Sequence, residues 1–228
     1  SVYYYMGFCY IMLRRYEDAV RVFSSTVNHI SRIKHHHTRS YQYEQINKRT
    51  DQMMALLALC LAMRPQNVDE SVHALVRDKA GDRLARLRAG EASAFEDLFN
   101  YASPKFISPA PPNYDTAADT NLEAPRLQTR LFMAEVKQQL LLPEIRSFLK
   151  LYTTIEIEKL ALLMDVEPAT FRSYLHGLKH KSYAISGSFE EPPLAGNYTT
   201  CSDIGFHVER DVVHISDTRP ASRHGEYF

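Results

Sequence analysis

What the sequence lacks narrows it first. Its 27 lysines and arginines are matched by 27 aspartates and glutamates, so no long-range field draws nucleic acid, an anionic membrane or an acidic substrate to the molecule as a whole. Any such binding has to be local. Cysteine is scarce: Cys9, Cys60 and Cys201 are odd in number and far apart, which fits neither a disulfide framework nor the paired spacing of a zinc site. A reducing compartment, the cytoplasm, is expected. Long apolar runs are missing too, since residues 2–13 and 53–63 fall well short of the roughly 18 residues that cross a bilayer. No membrane partner is expected. There is no Gly-rich phosphate loop, no nucleophile elbow, and no cluster of histidines with carboxylates at binding spacing. The chain therefore reads as a non-enzyme without cofactor, metal or small-molecule substrate.

What is present reads as helix. The 228 residues are 45% hydrophobic, enough for one large core or two modest ones. The chain opens at Ser1 inside an apolar run, as a piece of a longer polypeptide would. Residues 2–13 are apolar up to Arg14-Arg15. Tyr16 then opens a segment in which Ala19, Phe23, Thr26, Ile30 and Ile33 recur at helical spacing. A helical hairpin follows. Gly7-x-x-Tyr10 with Ala19-x-x-x-Phe23 matches part of the tetratricopeptide (TPR) pattern, in which small residues let two helices approach and aromatics fill the gap.

Residues 41–63 predict another helix, stopped by Arg64-Pro65. Its second half, Met53 to Met63, has no polar residue and needs neighbours on both sides, as an inner helix of a solenoid has. Asp69 is expected to cap a helix carrying Val72, Leu75 and Val76. Phe95, Leu98 and Phe99 mark one more. Pro104, Pro109, Pro111 and Pro112, with the polar stretch 113–121, predict a connection over 101–124. A long helix starts at Arg126, with Leu127, Leu131 and Ala134 on one side, and Pro143 is expected to break or restart it.

The last third alternates differently. Thr153-Thr154 reads as the cap of a helix with Ile157, Leu160, Ala161 and Met164. Asp165 to Pro168 turn the chain into a second helix with Phe171, Leu175 and Leu178. Residues 186–201 read as a loop. Phe206-His207-Val208 and Val212 to Ile215 then form a β-hairpin around Glu209-Arg210-Asp211. Helices followed by such a hairpin make a winged helix. The expected class is mainly α, a TPR-like helical-repeat solenoid over 1–124 and a linking helix with a winged helix over 125–228.

Two histidine groups have spacings that metal ligands use. His176 and His180 stand at i and i+4, but Gly177 sits where a zinc protease carries its Glu, and no third ligand offers itself. The tract His35-His36-His37 lies beside Arg32 and Lys34 near a helix end, where cations meet the negative end of the dipole. Solvated helix residues account for both groups. Arg172, Lys179 and Lys181 are the candidates for RNA contact, on the helix that enters the major groove in winged-helix transcription factors. The neutral chain and the absence of an Arg-rich wing count against them. The hairpin offers an edge strand that another chain's strand can complete, so Phe206, Val208, Val212 and Ile215 are the candidates for partner binding. Some of them must face the protein's own core.

A helical repeat feeding a winged helix is the layout of the PCI domain of scaffold subunits in the proteasome lid, the COP9 signalosome and eukaryotic translation initiation factor 3. Residues 16–23 (Tyr-Glu-Asp-Ala-Val-Arg-Val-Phe), 104–109 (Pro-Lys-Phe-Ile-Ser-Pro), 112–115 (Pro-Asn-Tyr-Asp) and 145–154 (Ile-Arg-Ser-Phe-Leu-Lys-Leu-Tyr-Thr-Thr) narrow this further. With Phe171-Arg172, Lys179-His180-Lys181 and His214 to Thr218, they resemble the subunit L family of that initiation factor along nearly the whole chain. The resemblance implies a PCI scaffold subunit that joins sister PCI subunits such as K and E, on the small ribosomal subunit, and supports recruitment of mRNA and initiator tRNA. It also implies an N-terminal region and a C-terminal tail beyond the present sequence.

Overall fold

The structure, a computed structural model, describes residues 1–37, 43–106, 111, 123–188, 191–200, 202 and 204–217. Pro109, Pro112, the whole 113–121 stretch, Cys201 and Thr218 lie outside the described residues, as do the side chains of His35, His36 and His37. The chain divides into two compact units, Ser1–Lys137 and Gln138–Phe228.

The first unit is helical: α1 (Val2–Met12), α2 (Tyr16–His37), α3 (Tyr43–Met63), α4 (Glu70–Arg88), α5 (Ala92–Ala102) and the first part of α6 (Glu123–Leu149). Helix α1 ends where Arg14 takes a left-handed φ of 60°. The N–H of Arg15 then reaches back to the carbonyl of Tyr10 at 2.8 Å, the 6→1 bond of a Schellman motif. Gly90 and Asp165 end their helices in the same way, with Glu91 N–H donating to Arg86 O and Val166 N–H to Ala161 O. Only one of the three positions is the glycine that a sequence reading looks for.

Gly7 lies where α1 crosses α2, so close that a methyl group there would stand 2.4 Å from the Phe23 ring. That is the small-against-aromatic contact expected of the hairpin. Helix α3 touches α1, α2, α4 and α5, and every residue from Met53 to Leu61 is buried. The unbroken apolar segment thus lies inside a ring of neighbours, each large buried side chain contributing about 1.5–3 kcal/mol. Phe99 and Phe132 stack with centroids 4.0 Å apart. Two side chains tie distant parts of the unit together. The Tyr4 hydroxyl donates to the Ala102 carbonyl at 2.7 Å, satisfying one of the last carbonyls of α5 that has no partner within the helix. The Arg49 guanidinium lies 4.7 Å from the Tyr4 ring centroid.

Asp69 occupies the N-cap position of α4 as expected, but its side chain makes no capping bond. Its backbone carbonyl accepts from Val72 and His73 instead. Pro143 corrects a second expectation, because α6 continues through it. A helix-compatible φ with one lost N–H is tolerated where packing holds both flanks. Val136 lies buried before it, and Ile145 and Leu149 after it.

The second unit follows the end of α6 with β1 (Thr154–Glu156), α7 (Ile157–Leu163), α8 (Pro168–Lys181), β2 (Tyr183–Ser186), β3 (Asn197–Thr200), β4 (Ile204–Glu209) and β5 (Val212–Asp217). Strands β1, β5 and β4 form one antiparallel sheet in that order, and β2 pairs with β3. Thr154 is therefore not a helix cap but a strand residue opposite His214, and Glu156 takes the N-cap position of α7. The 186–201 segment is likewise more than a loop, since Ser186 and Asn197 to Thr200 belong to the β2–β3 ladder. The core joins Ile145 and Leu149 of α6, Ile155 of β1, Ile157, Leu160 and Ala161 of α7, and Phe171, Leu175 and Leu178 of α8 with Ile204, Phe206 and Val213 of the sheet. Among the described residues no helix is long and apolar enough to cross a membrane.

Candidate docking surface

The β4–β5 hairpin carries all four residues singled out for partner binding, and its register sorts them. Phe206 pairs with Ile215, Val208 with Val213, and Glu209 with Val212. Directly opposed residues share a face, so Ile204, Phe206, Val208, Val213 and Ile215 point one way and His207, Glu209, Val212 and His214 the other. Phe206 is buried in the core and Ile215 packs partly against it. Val208, on the same face, is 44% exposed. Val212 is half-buried on the opposite face. Strand β5 is central, paired with β1 on one side and β4 on the other, so Val212 and Ile215 offer no free backbone. Strand β4 has the open edge.

That edge carries a guard. The Ile215 N–H donates to Thr153 O at 2.8 Å, toward the β1 side. Its cross-strand partner Phe206 therefore turns its carbonyl away from β5, toward the open side of β4. There the Lys179 ammonium of α8 donates to the Phe206 carbonyl, and it also stands 5.2 Å from the Phe206 ring centroid. A lysine at a sheet edge discourages unwanted strand pairing.

The turn is equally constrained. Arg210 and Asp211 are a two-residue connection with both φ values positive, 44° and 68°, the conformation that matches strand twist but favours Asn-Gly. Holding two non-glycine residues there costs about 1–3 kcal/mol each. Asp211 is fixed at both ends: its carbonyl accepts from Ile157 N–H at 2.9 Å, and its carboxylate pairs with Arg172 at 2.7 Å. Two of the three RNA-contact candidates, Arg172 and Lys179, thus have partners on the hairpin. Lys181 lies in the last turn of α8 with His180.

Apolar side chains surround this module without cover. Leu151 and Tyr152 precede β1, Leu162 and Leu163 end α7, and Tyr198 lies on β3. All are exposed, Leu162 by 80%. In the first unit Val2, Tyr3 and Tyr5 of α1 and Leu127 and Leu131 of α6 are exposed as well.

A sequence reading that finds no cluster of histidines with carboxylates is corrected here, because the hairpin brings His207, Glu209 and His214 together, their ligand atoms all within 4.8 Å of one another. The signal was His-x-Glu followed by His at the mirrored position across a two-residue turn, visible only once the register is known. His176 and His180, exposed on α8, join no such group among the described residues. Burial holds the Cys60 thiol well above its ordinary range, which makes it an inert core residue.

A family model described as RNA polymerase I-associated factor PAF67 matches residues 1–228. Among curated relatives, eukaryotic translation initiation factor 3 subunit L of Nematostella vectensis is 46% identical over the whole of this chain and 44% of its own length. The proteins of the same name from Xenopus tropicalis and Homo sapiens are 44% and 43% identical, each with 41% of its length covered. The chain thus spans less than half of the curated relatives it matches. A match from the first residue to the last, at this identity, leaves one conclusion: the chain belongs to the family of eukaryotic translation initiation factor 3 subunit L.

Proposed function

We propose that this chain is a non-catalytic docking module of translation initiation factor 3, in which a TPR-like helical unit and a winged helix together form a PCI domain. Its partners are sister PCI subunits, K and E among them. Through the assembled complex on the small ribosomal subunit, in the cytoplasm, it supports recruitment of mRNA and initiator tRNA. The observation that carries this reading is the uncovered apolar surface of the second unit: Leu151, Tyr152, Leu162 and Leu163 are exposed around its core, and Val208 is exposed although it lies on the sheet's core-facing side. Single exposed leucines are ordinary, but several around one small module mark a surface for a partner. Helices ending in a three-stranded antiparallel sheet, β1-β5-β4, support the winged-helix reading.

The test is capture of the chain from cell extract with identification of its companions. Initiation factor 3 subunits are expected, and Leu162→Glu with Leu151→Glu is expected to lose them while leaving the fold's stability within about 0.5 kcal/mol. Recovery of proteasome lid or signalosome subunits instead would overturn the assignment to this complex. The competing reading is direct RNA binding through Arg172, Lys179 and Lys181. Its support is the basic last turn of α8, and it is weakened by the hairpin partners of Arg172 and Lys179.

A further inference from the structure

We propose that the outer face of the β4–β5 hairpin is a divalent transition-metal site, built from His207, Glu209 and His214 and taking zinc. The proposal is independent of the docking function. Its basis is backbone register. His207 pairs directly with His214, which sets their Cβ atoms about 4.5–5.5 Å apart on one face. Their rings lie nearly parallel, at an interplanar angle of 13° with centroids 4.9 Å apart. Glu209, two residues along the same strand, returns to that face, and one ligand atom from each of the three lies within 4.8 Å of the other two.

The two-residue turn fixes this arrangement. With Glu209 opposite Val212 and no residue to spare between the strands, the register cannot slip by one residue without turning His214 to the face opposite His207 and Glu209. The turn is in turn held by the Asp211 contacts to Ile157 and Arg172. A metal therefore meets three side chains already gathered on one face, and the two stacked rings turn about their side-chain torsions to share it, with no loop to order.

Chemistry selects the ion. Two imidazoles and one carboxylate suit zinc among borderline ions, with a fourth position left for water, whereas magnesium and calcium prefer all-oxygen sets. Two neutral imidazoles and one carboxylate leave a bound dication with one uncompensated positive charge. Glu156 of β1, exposed and opposite Val212 on the same face, adds a further negative charge along that row. Solvent has direct access, since His207 and Glu209 are exposed.

The probe is zinc itself, titrated calorimetrically into the full chain with His35, His36 and His37 changed to Gln in every sample, so that the histidine tract does not compete. One equivalent is expected to bind. His207→Ala and His214→Ala should each weaken it by at least about tenfold, while His176→Ala leaves it unchanged and magnesium fails to bind. Cobalt in place of zinc should give the intense visible bands of a four-coordinate site in the parent and lose them in both variants. Should either alanine variant fail to fold, Glu209→Gln, which removes a charged ligand at an exposed position, decides by the same two readouts. Zinc affinity indifferent to His207, His214 and Glu209 would overturn the proposal, as would zinc binding that disappears with His176→Ala.

Discussion

A methyl group at Gly7 has nowhere to go. The Phe23 ring it would strike is completely buried, so Gly7→Ala is expected to destabilise by about 1–3 kcal/mol through overpacking, outweighing a gain of about 0.5–1 kcal/mol in helix propensity. Gly177 on α8 is the control. Nothing lies within 4 Å of a methyl placed there, so Gly177→Ala should stabilise by about the propensity term alone. Thermal unfolding of the two variants reads opposite signs. Tyr16 supplies a pH-dependent case. Burial first, and then the negative charge of the Glu135 carboxylate, which accepts a hydrogen bond from its hydroxyl, push its phenol well above the ordinary value. In the unfolded chain that group ionises near pH 10, so stabilisation present below about pH 10 is lost as pH rises past it, by about 1.4 kcal/mol per pH unit. Tyr16→Phe removes this slope. Tyr4 and Cys60 are shifted in the same direction and stay in both proteins, so the difference between their urea midpoints from about pH 9 to about pH 11 isolates Tyr16. Residue types announced the Gly7 and Phe23 contact in advance, because spacing on two helices suffices for it. They did not announce Arg14 and Asp165 as left-handed helix ends, since neither is the residue that conformation favours.

Elements were legible in proportion to their periodicity. The long helices α2 and α3 declare themselves by apolar spacing and by Arg64-Pro65, and the hairpin declares itself by β-rich runs on either side of a polar turn. Strand β1 did not. Three residues, Thr154-Ile155-Glu156, are too few to show a period of two, and threonine before an apolar run imitates a cap. What makes them a strand is β5, some sixty residues later. The same non-local logic hid the placement of Lys179, read as a cation for RNA and found at the edge of β4. Lys179→Met keeps the stem against Phe206 but leaves the Phe206 carbonyl without its ammonium partner. The β4 edge then opens to other strands. Self-association is expected to rise in sedimentation experiments, and an unchanged monomer would show that the lysine guards nothing.

For the molecule as a whole, charge neutrality separates the two functional readings. Partner capture through Leu151, Leu162 and Val208 buries apolar surface, and it is expected to persist from about 0.05 to about 0.5 M salt, whereas contact with RNA phosphates weakens linearly on logarithmic axes over the same range. Partner retention measured along that series distinguishes them, and a steep loss would favour RNA. The helical class, with its hairpin near the end, was readable because helix periods and turn residues are local. How the hairpin sorts its own side chains was not, because register is settled by pairing.

The bond from Tyr4 to Ala102 spans 98 positions of chain. At a synthesis rate of about 5–20 residues per second, α1 is made about 5–20 s before the carbonyl that satisfies its tyrosine exists. For that interval α1, apolar along most of its length, has neither its latch nor the fifth helix behind it. Nascent chains of this family are thus expected to expose this sticky segment during their own translation, the stage at which chaperone capture or early pairing with a partner chain would have most effect.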